Sequence, residues 1–513
     1  MSELEQLLVL FVAAVTLAGL ARRTGAPYPV FLALGGAVLA FIPAAPSLSL
    51  PPELVLALFV APILLDAAFD ASRRDLKDNW APLAGLVIVA VGLTTIAVAA
   101  VARFFVPELA WAPAIALGAI VAPPDAVAAT AVLRPLKPPH RILTILEGES
   151  LLNDASALLI YRLAVGAVAA GGFSIAAVGP ALALSVVGSV IVGPALGWLT
   201  SRLFAQVHHV PTAIILQFTT TFGVWILAEE LGLSAVLTMV CYAVTVAQSA
   251  PQRTAARMRV PTYAVWETAV FALNIFAFIF IGLQMRPIFE SLEPVDRGRY
   301  FSAAGGVLLT VIAVRLVWHM SFNAFVRWRH RRVGFNPPRP MLRPTVGSGL
   351  VISWSGMRGI VSLAAALALP SDFPYRDLIL MTSFAVVLGT LVLQGLTLKP
   401  LLRWLNLRDD DPVGRELNAA RQRALDDVLA SLATDDSPLA NIVRREFKLL
   451  LSAEQLHDAS GAVRAHNELR HRALHVARQA TFRMRETEEI GDDAFHQLEE
   501  ELDWLEMASQ GNT

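Results

Sequence analysis

Residues 120–130 read IVAPPDAVAAT. The run is as apolar as a membrane helix, yet Pro123, Pro124 and Asp125 sit at its centre. Each proline lacks a backbone N–H and clashes with the preceding turn, so a helix over 112–133 has to break there and leave carbonyls free beside Asp125. In a bilayer such a break is tolerated only where it lines a cavity or meets an element that pairs the freed groups. A matching interruption exists: SWSGMRGIVS, residues 353–362, breaks a second apolar run with Gly356 and Gly359 flanking Arg358.

The composition sets the class. With 513 residues, 55% hydrophobic and 16% charged, the chain is too apolar for an ordinary soluble protein and reads as all-α and polytopic in a membrane. A spanning helix needs roughly 20 apolar residues. By that measure thirteen segments are expected, near 5–21, 28–46, 51–70, 81–105, 112–133, 142–169, 174–202, 211–228, 232–248, 262–285, 301–326, 346–369 and 377–404. The first apolar run lacks a basic leader and a small-residue cleavage site, so it is expected to be retained as a membrane helix. Residues 1–404 form the membrane domain and residues 405–513 a charged, helical cytoplasmic tail. The single cysteine, Cys241, leaves no disulfide framework or thiolate metal site within the chain, and a net charge of −1 argues against nucleic acid. Alternate loops carry eighteen Lys and Arg on one side against six on the other, counting Arg103 and Arg162 at helix ends. Cytoplasmic loops hold the basic excess, which puts the amino terminus outside and the tail inside.

Segments five and twelve are seven apart, an odd offset, so they cross the membrane in opposite directions. Two interrupted helices at corresponding places in two halves are the mark of an inverted-repeat secondary transporter, with its substrate site near the midplane. The ionisable residues in the apolar runs fit that picture, because a charge in the bilayer core is costly and functional by default. They are Asp66, Asp125, Glu149, Asp154, Arg315 and Arg358. Asp154 falls about twelve residues into its helix, at about 1.5 Å each, near the midplane. Glu147 and Ser150 share its helical face, whereas Glu149 points about 140° away. Glu149 is expected to pair with Arg315 as a buried structural ion pair, with Arg358 as the other partner open to it. That leaves Asp154 with no fixed counter-ion, able to hold either a proton or a metal cation. Arg358 is also placed to offset the negative carboxyl ends of half-helices.

Assembled, these stretches resemble the NhaP/NHE (sodium/hydrogen exchanger) branch of monovalent cation/proton antiporters over residues 1–404. The likeness rests on EGESLLNDASA at 147–157, VAPPDAVAAT at 121–130, PILLDAAF at 62–69, VWETAVFALNIFAFIFIGLQM at 265–285 and SWSGMRGIVSLAAALALP at 353–370. It implies alternate binding of cation and proton at Asp154, with Asp125, Ser150, Asn153, Pro124 and Asp66 contributing to the site and Glu149–Arg315 as its ion pair. It implies as well an antiporter rather than an enzyme, located in the plasma membrane, a homodimer, and no cofactor beyond the transported Na⁺ or K⁺ and H⁺. Two features depart from or divide the family. Pro124 and Ala126 stand where it usually has Thr and Pro around the helix-five aspartate, so a proline carbonyl replaces the threonine ligand. Asn153 stands where electrogenic relatives carry a second aspartate, so one cation for one proton is expected, electroneutrally.

The nearest alternative is the same machine with K⁺ as its main substrate. An intramembrane aspartyl protease would also need two buried aspartates, but Gly-x-Gly-Asp and Tyr-Asp motifs are absent from the sequence. A channel would want rings of acids in an oligomeric pore, whereas here the charges converge within one chain. The tail is read as a candidate regulatory or dimer-contact element. Its five histidines, His457, His466, His471, His475 and His496, are read as solvated residues.

Overall fold

Hydrocarbon offers no hydrogen bonds, so a chain this apolar must pair its backbone within itself, and helices do so segment by segment. The computed structural model describes residues 3–24, 27–42, 51–171, 175–253, 256–334, 344–407, 412–433, 437–455, 460–487, 489 and 492–510, and every regular element among them is helical. The chain divides into two compact units, residues 1–410 and 411–513.

The first unit begins with α1 (Glu3–Thr24), α2 (Tyr28–Ala40), α3 (residues 52–70) and α4 (Trp80–Phe105). The fifth expected segment is two half-helices, α5 (Trp111–Val121) and α6 (Ala126–Leu133). Then follow α7 (His140–Ala169), α8 (Ile175–Phe204), α9 (Val210–Glu230), α10 (Ala235–Arg253), α11 (Ala256–Leu283) and α12 (Arg297–Val333). The twelfth segment is again split, into α13 (Val346–Trp354) and α14 (Ile360–Leu367), and α15 (Arg376–Leu405) closes the unit. Where they are described, the expected segments overlap these helices and half-helices; residues 43–46 of the second and residue 174 of the seventh lie outside the described residues. Among the described residues eight stretches are long and apolar enough to cross a membrane, the interrupted Trp111–Leu136 among them, and Tyr28–Ala40, Leu56–Phe69 and Ala235–Gln248 are shorter apolar helices. The least obvious boundary, between α9 and α10, falls at Gly232, whose φ of 69° is left-handed and ends the helix.

Two details escaped the sequence. Leu56–Val60 in α3 and Gly85–Ala90 in α4 widen into π-helical turns, which release carbonyls from the regular ladder. In α4 two carbonyls of the wide turn find outside donors: the Trp318 indole binds Gly85 O at 3.1 Å and the Ser156 hydroxyl binds Val87 O at 2.7 Å. Downstream, α13 starts at a capping box, in which Thr345 Oγ1 accepts from Ser348 N at 3.0 Å while Thr345 N donates to Ser348 Oγ at 3.1 Å.

Two hydrophobic clusters hold these helices. The larger surrounds the interrupted pair and includes α2, α4, α7, α11, α12 and α15; the smaller joins α3, α9 and α10 to Trp266 and Val270 of α11. Helix α2 meets α11 backbone to backbone, since a Cβ on Gly282 would overlap Ala33 O and Ala37 N. With lipid as apolar as leucine, close van der Waals contact of this kind is what holds membrane helices together.

In the second unit, α16 (Pro412–Ser431), α17 (Pro438–Gln455), α18 (Ser460–Glu486) and α19 (Asp492–Gln510) follow in order. The α18–α19 pair packs Phe482 on Phe495, and Arg478 is bound by Asp503 and Glu506. Of the tail histidines, His475 is exposed; His457 lies outside the described residues, as do the side chains of His466, His471 and His496.

Adding one methyl at the α2–α11 contact should be felt as overpacking. Gly282→Ala is expected to destabilise the protein by about 1–3 kcal/mol in thermal unfolding in detergent. Gly92→Ala, where a Cβ meets open space, is expected to stay within about 0.5 kcal/mol of the parent.

Candidate functional site

The breaks at 122–125 and 355–359 meet each other, and their backbone groups are paired across the meeting point. Asp125 N donates to Met357 O at 2.7 Å. The Arg358 guanidinium spans the free end of α5, with Nε on Val121 O at 2.9 Å and Nη2 on Ala122 O at 3.0 Å, and Nη1 also binds Gly356 O. Its own amide donates to Thr390 Oγ1 of α15 at 3.0 Å. Arg315 of α12 does the same for the other half-helix, with Nε on Ser353 O at 3.2 Å and Nη2 on Ile352 O at 3.1 Å. Each inward carboxyl end therefore carries a guanidinium, where the helix dipole is negative; such a contact contributes up to about 2 kcal/mol in buried geometry.

The two amino ends share one carboxylate. Asp125 is the N-cap of α6, its Oδ1 accepting from Val127 N at 2.9 Å. Its other oxygen lies against Gly359, the residue before α14, where any Cβ would overlap it. Gly356 is needed for a similar reason, since a side chain there would strike the Arg315 stem.

Arg315 is itself neutralised. Glu149 of α7 binds it through both oxygens, Oε1 to Nη1 at 2.5 Å and Oε2 to Nη2 at 2.8 Å, with both side chains no more than 3% exposed. A bidentate pair with this geometry offsets the desolvation of both ions, and removing either partner leaves a buried charge alone. Arg358 spends its donors on carbonyls rather than on Glu149.

Beside the crossing lies a cavity of about 240 Å³ at the seam of the two hydrophobic clusters. Asp66 of α3, Asp125, Ser150 and Asp154 of α7, and the break residues Pro123 and Pro124 all line it. Asp154 is 7% exposed, and among the described residues its carboxylate accepts no hydrogen bond and joins no ion pair. The 3.6-residue register explains how one helix serves two sites: Ser150 and Asp154 face the cavity while Glu149 faces Arg315. Ser150 Oγ also accepts from Ala126 N at 3.4 Å, tying α7 to the start of α6.

Asn153, which the resemblance implies contributes to the site, is placed behind the Pro124 carbonyl rather than on the cavity lining. It is fully buried, and its Nδ2 donates to Pro124 O at 2.9 Å. Next to Asp154 in sequence, it is turned about 100° from it around the helix. The Pro124 carbonyl keeps a second lone pair for a ligand on the cavity side. Sequence reading did not anticipate Tyr28 and Asn274, which line the cavity, nor Thr390, which receives the Arg358 amide. Single polar residues in apolar helices carry no positional signal that would single them out.

Comparison with known proteins agrees with this architecture. The profile of the sodium/hydrogen exchanger transmembrane family matches residues 8–404. An uncharacterized Na⁺/H⁺ exchanger of Mycobacterium tuberculosis is 31% identical, over 98% of this chain and 95% of that protein. A sodium, potassium, lithium and rubidium/H⁺ antiporter of Bacillus subtilis is 27% identical, over 94% of this chain and 74% of its own length. Among solved structures, the sodium proton antiporter MjNhaP1 of Methanocaldococcus jannaschii at pH 8 superposes with a TM-score of 0.59 at 16% identity, covering 79% of this chain and 99% of that one, so the fold is shared. The chain is an integral, multi-pass membrane protein and a secondary transporter rather than an enzyme, and it belongs to the sodium/hydrogen exchanger family of monovalent cation/proton antiporters.

Proposed function

We propose that this protein exchanges Na⁺ for H⁺ one for one at Asp154, by alternating access across the plasma membrane, and serves pH and sodium homeostasis. The observation that carries the proposal is the contrast among the buried charges. Glu149, Arg315, Arg358 and Asp125 all have partners, whereas Asp154 faces the cavity with none among the described residues. A hard monovalent cation takes oxygen ligands, and the cavity offers the Asp154 carboxylate, the Ser150 hydroxyl, the Pro123 and Pro124 carbonyls freed by the break, and the carboxylates of Asp125 and Asp66.

A proton on Asp154 removes the attraction for the cation, and loss of the proton restores it, so the two compete for one charge. Glu149 is cancelled by Arg315, so the charge that a proton or a monovalent cation would cancel in this reading is that of Asp154. Carrying the empty, charged site through a dry barrier is costly, and this couples the two fluxes. Asn153 in place of a second acid supports an electroneutral cycle.

The second reading keeps the mechanism with K⁺ as the main substrate. The Bacillus subtilis relative counts potassium among its four named cations, and Pro124 where the family usually has a threonine bears on ion preference rather than on mechanism. The basic residues at the carboxyl ends of α1 and α12, Arg22, Arg23, Arg331 and Arg332, support an external amino terminus and a cytoplasmic tail. A homodimer belongs to the same proposal on the strength of the family likeness, and a native mass of one chain in lipid nanodiscs would remove it.

In proteoliposomes with an imposed pH gradient, Na⁺, K⁺ and Li⁺ added separately should identify the substrate by collapsing the gradient, and Asp154→Asn should respond to none of them. Competition at one carboxylate also fixes the pH dependence. Below the range in which Asp154 titrates, the apparent KM for the cation should rise about tenfold per pH unit as pH falls, and above it stay flat. A KM independent of pH over the whole active range would exclude a shared site.

Glu149→Gln should act on the fold rather than on ion competition. Leaving Arg315 buried and unpaired is expected to cost about 3–5 kcal/mol in detergent unfolding. Protein that survives should retain the pH dependence of KM.

A further inference from the structure

Four acids line the cavity, Asp66, Asp125, Glu147 and Asp154, and one base, Arg134. Glu147 lies seven residues before Asp154 on α7, roughly 10 Å along the axis and about 20° from its face. Ser150 falls between them, so one side of α7 presents a ladder of oxygens from Glu147 through Ser150 to the buried, unpartnered Asp154. Arg134 follows directly on α6, and its Nη2 binds Glu147 Oε1 at 2.9 Å. The guanidinium side chain is 57% exposed and the carboxylate side chain 24%, so this pair stands at the solvent end of the ladder, unlike the dry Glu149–Arg315 pair.

We propose that Glu147 is a second binding carboxylate for the transported cation, the first it meets on its way to Asp154, and that Arg134 is the tethered counter-ion it displaces. The proposal rests on the cation/proton exchange reading above and adds residues that set its apparent affinity. A half-exposed ion pair is weak, because solvent screens it and ordering two long side chains opposes it, so a monovalent cation can compete with Arg134 for Glu147. Released, Arg134 remains at the carboxyl end of α6, where the negative end of the helix dipole holds it close. A cavity with a net negative lining draws cations inward, and a fixed positive group at its mouth moderates that attraction until one arrives. Glu147 is therefore a binding residue that lowers the KM, and Arg134 is a positioning residue that raises it by acting through Glu147.

The test measures initial rates of gradient collapse in proteoliposomes against Na⁺, and separately K⁺, at ionic strength held constant with choline chloride. Glu147→Gln is expected to raise the apparent KM about two- to fivefold with kcat nearly unchanged, and Arg134→Gln to lower it by a similar factor, the range that matches the strength of such a pair. The double variant should match Glu147→Gln alone, and Glu147→Asp should restore most of the affinity. An additive double variant, a change confined to kcat, or an Arg134→Gln variant with unchanged or raised KM overturns the proposal. Should Glu147→Gln fail to accumulate, the direction of the Arg134→Gln shift decides the question alone. Wild-type protein that exchanges no cation overturns the exchange reading and this proposal with it, whereas normal exchange with unaltered KM in the variants overturns this proposal only.

Discussion

A broken helix in a bilayer has to find hydrogen-bond partners inside the protein, and the rest of this fold depends on that requirement. The breaks at 122–125 and 355–359 free carbonyls at two carboxyl ends and amides at two amino ends, in a medium where an unpaired group costs several kcal/mol. Neither interruption is viable alone. Brought together, each supplies what the other lacks: Arg358 of one binds the carbonyls of Val121 and Ala122 in the other, and Met357 O accepts the Asp125 amide. Neighbouring helices complete the set, α12 with Arg315, α7 with Ser150 and Asn153, and α15 with Thr390.

This pairing sorts the buried charges by role. Glu149, Arg315 and Arg358 are locked by several bonds each and act as structure, and Asp125 is held in part by the amino end of α6. Asp154, within a turn and a half of Glu149 on α7, is left without such bonds among the described residues. In the proposed exchange, a frame held by these bonds around the Asp154 carboxylate gives a reason for its charge to move only when cancelled. The preorganisation comes from backbone carbonyls and from guanidiniums each held by several bonds, so in the proposed exchange Asp154 is filled and emptied without disturbing the frame around it.

Much of this was legible in the sequence because proline, glycine and charge are conspicuous against hydrocarbon. Pro123–Pro124 marks one break and Gly356 with Gly359 the other, and helical register alone separates Glu149 from Asp154. What stayed hidden depends on tertiary contact. The partition of Arg358 onto carbonyls and of Arg315 onto Glu149 is a matter of distance between helices, and the same residue types fit either assignment. The family resemblance implies that Asn153 contributes to the site, but that it does so through the Pro124 carbonyl depends on the contact between α7 and the break. The π-helical turns in α3 and α4 left no trace, since their sequences LALFV and GLVIVA are ordinary apolar runs. Glu147 was visible on the face of Asp154, but its link to Arg134 crosses from α6 to α7 and appears only in three dimensions.

The crossing also constrains the order in which the molecule can be completed during synthesis. The carbonyls of Val121 and Ala122 are capped by a side chain 237 and 236 residues later, and Glu149 waits 166 residues for Arg315. Until those residues emerge, the amino-terminal half must sit in the bilayer with an open break and an uncompensated carboxylic acid. It must meanwhile borrow water, lipid headgroups or insertion machinery to satisfy them. The closing of the crossing is therefore a late and long-range event, and an incomplete chain stays distinguishable from a finished one by the polar groups it still leaves unpaired.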